Sequence, residues 1–225
     1  MATPQPMPAA MTAAFSLGAR QLPPNYLRAL PPRRTSLVVP VPQASPAYRH
    51  TFHVLSEHPE LTGRYDELIL DNSLRHHMNP RLVKAIIAAE SEFSTEARSP
   101  RGAQGLMQIL PITAKEIGAP RSNLHDPKDN IRVGTAYLER LYRAAWARYH
   151  LKGVKYQDAP LWVMERIIAS YNAGPRALAR NSFMSQTRNY VRKVLLFYRS
   201  DVSEFRRSPK RARNASALPR EDVLP

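Results

Sequence analysis

The chain has 225 residues, room for one ordinary domain plus tails, and sets 33 Lys+Arg against 18 Asp+Glu for a net charge of +15. That balance selects an anionic partner, with nucleic acid, an acidic membrane and bacterial cell-wall polymer all qualifying. Cysteine is absent, which excludes a disulfide framework, a thiolate metal site and a cysteine nucleophile, and no apolar run approaches the ~18 residues of a membrane-crossing helix.

Residues 1–56 are rich in Pro and Ala, hold five arginines and reach no acidic residue before Glu57. With no sustained period they read as a mostly disordered leader. "MTAAFSLGA" is short, weakly apolar and lacks a basic flank, so it makes a poor secretory signal. Export by a non-standard route, clipping of a precursor and a simple linker all stay open. "LVVPVP" is β-like, but its prolines demote it.

Residues 57–200 read as an all-α domain with no internal repeat. "RYDELILDNSLRHH" has helical spacing, and Asn79 with Pro80 restarts the chain as an N-cap and first-turn pair. "PITAKEIG" predicts a short helix ended by Gly118. "DPKDNIRVGTAYLERLYRAAWARYH" predicts a long amphipathic helix capped by Asp126. "APLWVMERIIASYN" and "SQTRNYVRKVLLFYR" complete the set. The seven histidines form no metal-binding spacing, and the adjacent His76 and His77 read as helix-end or surface residues. Residues 201–225, with "RRSPKRAR", read as a basic flexible tail.

One residue breaks the pattern. Val83, Ile86, Ile87 and Glu90 fall at i, i+3, i+4 and i+7, so Glu90 occupies the oiliest stripe of its helix. A carboxylate there is either half of an ion pair or cap, or a desolvated group still protonated near neutrality and able to act as a general acid. Periodicity does not choose between them. Downstream, "SPRGAQGLMQILP" brings Gly102 and Gly105, which permit a tight path and close approach by a ligand, with Met107 and Gln108 beside them.

Taken together, four blocks are similar to the soluble lytic transglycosylases, which cleave peptidoglycan with a goose-type-lysozyme-like helical domain. They are "AAESEF" with Glu90 and Ser91, "GLMQ" from Gly105 to Gln108, "LHDPKDNIRVG" with Asp126, Pro127, Asn130, Ile131 and Gly134, and "YNAG" from Tyr171 to Gly174. The resemblance covers roughly 64–199. It implies that Glu90 is a single catalytic acid/base with the Tyr171 hydroxyl close by. It implies that Met107, Gln108 and Asn172 line sugar subsites and that Ser91 hydrogen-bonds at or beside the reacting sugar. Asp126, Asn130 and Gly134 read as architecture: a cap, a turn contact and a close helix–helix crossing. One departure stands out, because Gln186 occupies the place of a family glutamate shortly before Tyr190, keeping hydrogen bonding while losing charge.

Most glycosidases use two carboxylates, ~5–5.5 Å apart for retention or ~6.5–9.5 Å for inversion. Glu92 lies about 200° around the helix from Glu90, Asp126 is a cap, and Glu165 precedes Tyr171 by about two turns. The resemblance resolves the shortage, since lytic transglycosylases take the nucleophile from the muramyl 6-hydroxyl of the substrate. The expected partner is therefore the peptidoglycan glycan strand, with no cofactor and no metal. By analogy, a small monomeric enzyme of this kind opens wall locally for secretion or conjugation machinery, or serves phage entry, and acts in the periplasm. Three rivals remain: a muramidase using water on the same fold, a basic helical module binding nucleic acid, and a degenerate wall-binding protein weakened by Gln186. The second rests on 22 Lys+Arg against 12 Asp+Glu over residues 64–200. It lacks any zinc-finger spacing or aromatic-rich RNA motif, so nucleic acid is not expected.

Overall fold

A computed structural model of the protein describes residues 46–205. The remainder of the leader, "LVVPVP" included, and the tail beyond 205 lie outside the described residues. Those described are helical, with only two isolated bridges, Arg98 to Gln104 and Gln104 to Ile109, in place of strands. The all-α expectation agrees with this.

The helices are α1 (Pro46–Glu57), α2 (Pro59–Gly63), α3 (Asp66–Arg75), α4 (Pro80–Ser91), α5 (Pro111–Glu116), α6 (Pro127–Tyr149), α7 (Leu161–Ala173) and α8 (Ser185–Tyr198). Proline opens α1, α2, α4, α5 and α6, where its fixed φ suits the first turn and its missing N–H costs nothing. The predicted caps form: Asn79 accepts from the Arg81 N–H at 3.0 Å and Asp126 from the Asp129 N–H at 2.9 Å. Gly118, at φ +82°, follows the end of α5. His76 caps α3 and His77 takes the left-handed φ of +54° beyond it, both at a helix end as expected. Residues 46–56 depart from the disordered reading of the leader. They are helical, with Leu55 buried and Phe52 stacked 6.2 Å from Phe197.

The chain divides into two compact units. Among the described residues, the first comprises 46–136 with 192–205, and the second 137–191.

In the first unit α4 is the central rod. Every residue from Leu82 to Ala89 is buried, so the single apolar stripe read from the sequence is in fact a helix enclosed nearly all round. Lys84 shares that burial. Its ammonium donates to Asp66 Oδ1 at 2.6 Å and to the Glu204 carbonyl, and lies 4.6 Å from the centre of the Phe205 ring. Arg81 reaches Ser203 Oγ at 3.2 Å and the Ser200 carbonyl at 3.3 Å. Two basic residues of α4 thereby fasten the 3-10 turn Asp201–Ser203 and the two residues after it.

A second fastening fixes residues 104–108. The Asn130 carboxamide is fully buried in α6; its Oδ1 accepts from the Met107 N–H at 2.7 Å. Its Nδ2 donates to the Leu124 and Gln104 carbonyls at 2.7 and 2.8 Å. Gly105, at φ +70°, is required because a Cβ there would collide with the Leu124 carbonyl and the Asn130 amide. The close approach expected for a ligand is thus made by the protein's own backbone. Gly134 likewise differs from the helix–helix crossing expected of it: a Cβ there would strike the Met107 side chain, so the glycine makes room for one buried residue of the loop.

The second unit holds the 137–149 part of α6, α7, the 185–191 part of α8 and the 3-10 turns Tyr156–Asp158 and Pro175–Ala179. Tyr142, Trp146 and Tyr156 pack mutually with ring centres 5.0–5.5 Å apart. Buried Arg166 donates to the Arg180 carbonyl at 2.6 Å, tying α7 to the chain after the second 3-10 turn.

Both fastenings are testable by urea unfolding. Asp66→Asn leaves the Lys84 ammonium buried beside a neutral partner and is expected to cost about 3–5 kcal/mol. Asn130→Ala strands one N–H and two carbonyls and is expected to cost about 3 kcal/mol or more. Wild-type midpoints in these variants would contradict the assignments.

Candidate active site

Glu90 lies in the last turn of α4, where the carbonyls of a helix end have no partners of their own and concentrate partial negative charge. The stripe below it (Val83, Ile86 and Ile87) is completely buried, and Glu90 is the half-buried residue at its tip. The helix stops abruptly after Ser91 because Glu92 and Phe93 take left-handed conformations in succession, at φ +54° and +66°.

Ser91 Oγ donates toward the Leu106 carbonyl at 2.8 Å, with the Ile87 carbonyl at 3.2 Å as its other acceptor. Both are backbone groups, so the hydroxyl ties the end of α4 to the glycine loop. Met107 is wholly buried against Gly134 and offers packing. Gln108 is half-buried at φ +48°, with its Nε2 donating to the Ala97 and Gly105 carbonyls at 2.9 and 3.0 Å. Its amide N–H groups brace the loop, which leaves the amide oxygen as the part suited to a ligand.

A cation that the sequence reading passed over stands in the same place. Lys193 Nζ donates to the Ala89 carbonyl at 2.8 Å, one residue before Glu90, and lies 3.9 Å from Glu92 Oε1. Burial pushes the Lys193 ammonium down from its ordinary pKa, while the charges of Glu92 and then Glu90 pull it back up. Glu92 Oε1 also accepts from Thr51 Oγ1 of α1 at 3.1 Å. No sequence signal marks Lys193, since its partner is a backbone carbonyl 104 residues away.

The remaining expected site residues belong to the second unit. Tyr171 is buried in the last turn of α7, its ring tilted against Tyr137 at 5.4 Å between centres. Asn172 is exposed and accepts from the buried Thr187 hydroxyl at 3.3 Å, which links α7 to α8. Gln186 is exposed and Tyr190 half-buried on α8. Buried Glu165 lies on α7. Among the described residues, no group of three or more His, Asp or Glu side chains is arranged to hold a metal ion. No helix there is long and apolar enough to cross a membrane.

The chain shares 36% identity over 116 residues with a transglycosylase of Enterobacteria phage PRD1, covering 46% of this chain and 43% of that protein. It shares 37% over 126 residues with an endo-type membrane-bound lytic murein transglycosylase A of Cronobacter sakazakii, covering 52% and 58%. Among solved structures, it is similar to the 70 kDa soluble lytic transglycosylase of Escherichia coli, with 27% identity, a TM-score of 0.46, and 60% and 23% of the two chains covered. The chain thus spans about half the length of the curated relatives it matches. Residues 67–193 match the sequence profile of the Transglycosylase SLT domain, so the chain belongs to that family.

Proposed function

We propose that the protein is a peptidoglycan lytic transglycosylase in which Glu90 carries the chemistry. The observation behind this reading is the position of Glu90, a half-buried carboxyl capping an otherwise fully buried apolar helix face. The family match and the names of the relatives support the same class of reaction. Glu92 and Phe93, two non-glycine residues in left-handed conformations, follow Glu90 closely in the chain. Such strain collects at functional sites.

In this mechanism Glu90 protonates the oxygen linking N-acetylmuramic acid to N-acetylglucosamine. As the bond breaks, the muramyl 6-hydroxyl attacks its own anomeric carbon and the Glu90 carboxylate accepts the hydroxyl proton. The bond closes a 1,6-anhydro ring, and the proton lent to the leaving sugar is recovered. Intramolecular attack is worth effective molarities of about 10⁵–10⁸ M, so the second carboxylate of ordinary glycosidases is not needed. Tyr171, Asn172, Gln186 and Tyr190, with the Gln108 amide oxygen, are the residues proposed to meet sugar. Ser91 and Met107 serve by fixing the loop beside Glu90. The surface charge suits the carboxylates of wall peptides. Action in the periplasm, and service to a secretion or conjugation apparatus, extend the same proposal.

Release of soluble fragments from purified sacculi tests it. Glu90→Gln is expected to lower the rate by about 10²–10⁴-fold while leaving the thermal unfolding transition in place. Wild-type turnover in that variant would exclude Glu90 as the acid.

A further inference from the structure

Lys193 is absent from the family-derived site, yet it is a cation packed against the turn that carries Glu90. Its ammonium is anchored on the Ala89 carbonyl, at the negative end of α4, by a 2.8 Å hydrogen bond, and its side chain is only 29% exposed. The anchor needs no partner on Glu90 itself. It simply fixes a positive charge one residue from the carboxyl. Two influences oppose that charge: the carbonyl end of the helix, and Glu92, whose carboxylate lies 3.9 Å from the same ammonium and is held by Thr51. Glu90 and Glu92 are the two carboxylates whose charges act on Lys193; on its own helix the neighbouring charged residue is Arg192.

We infer that Lys193 is a positioning residue for Glu90, favouring the ionised carboxylate that accepts the 6-hydroxyl proton, with Glu92 tempering its effect. The inference rests on the transglycosylase reading for its catalytic consequence and on the geometry alone for the electrostatic coupling. A carboxyl that must first give a proton and then take one gains from opposed influences. Burial and the helix end favour the neutral acid, and the nearby ammonium favours the carboxylate formed afterwards. A Lys193 that only closed the end of α4 would affect folding and leave the titration of Glu90 unchanged.

The sign comes from Coulomb's law. Removing a nearby positive charge disfavours the carboxylate, so Glu90 should hold its proton to higher pH. Removing a nearby negative charge does the reverse. The test tracks the Glu90 carboxyl carbon by NMR against pH in the full chain, assigned by its loss in Glu90→Gln, and in parallel the pH profile of kcat/KM on solubilised glycan strands. Lys193→Met, which keeps an aliphatic stem, is expected to move the carboxyl midpoint and the alkaline limb up together by about one unit. Lys193→Arg should bring both back toward wild type, and Glu92→Gln should move both down. Midpoints unchanged in Lys193→Met and Glu92→Gln would overturn the inference. If Lys193→Met loses its unfolding transition, Lys193→Gln, which removes the charge but keeps an N–H donor for the Ala89 carbonyl, decides in its place. If the midpoints move while Glu90→Gln keeps full activity, the coupling stands and the catalytic reading falls.

Discussion

A single buried carboxamide governs the geometry around Glu90. Asn130 satisfies the Met107 N–H and the Gln104 and Leu124 carbonyls at once, using its acceptor and both of its amide protons. Those groups belong to a stretch with almost no regular structure, and buried backbone without partners would destabilise it severely. Once the loop is fixed, the Leu106 carbonyl is available to Ser91, which ties the end of α4 to it. Glycine at 105 and 134 answers the same constraint, because side chains there would occupy the space taken by the Asn130 amide and Met107. The motif that looks like a ligand cradle in sequence is, for the most part, a clamp that the protein closes on itself.

Two lysines divide the rest of the work in the first unit. Lys84 is enclosed with Asp66 and fastens the chain near Glu204 to the middle of α4. Buried ion pairs of this kind gain little net stability over apolar packing, and breaking one is costly because the surviving charge has nowhere to go. Lys193 reaches the end of α4 from α8 and stays in partial contact with water, where its charge can influence a neighbour. Two ammoniums thus serve one helix in opposite ways, and their burial decides which.

Local rules carried the sequence reading a long way. Asn79, Pro80, Asp126, Pro127 and Gly118 act through atoms a few residues off, and the structure places them as caps and stops. Glu90 was legible because a carboxyl on the Val83–Ile86–Ile87 stripe is a contradiction visible in one window. The features that stayed hidden depend on distant partners. Lys84 reaches 120 residues forward to Glu204 and Lys193 reaches 104 residues back to Ala89, whereas Asn130, legible as a turn contact, reaches only 23 residues back to Met107. Residues 46–56 were lost to a related weakness: a proline-rich, acid-free lead-in masks one amphipathic turn after another, and their helix is stabilised by packing such as Phe52 on Phe197. The resemblance gives no hint that Ser91 Oγ donates to backbone carbonyls or that Met107 is fully buried, since both depend on the loop's own packing.

The central claim is that one carboxyl suffices because the substrate provides its own nucleophile. Mass analysis of the sugar termini released from sacculi by the full chain tests it most directly. The account predicts 1,6-anhydromuramic ends, lighter by one water than a hydrolysed terminus. Reducing muramic ends would contradict it, placing water where the 6-hydroxyl should be.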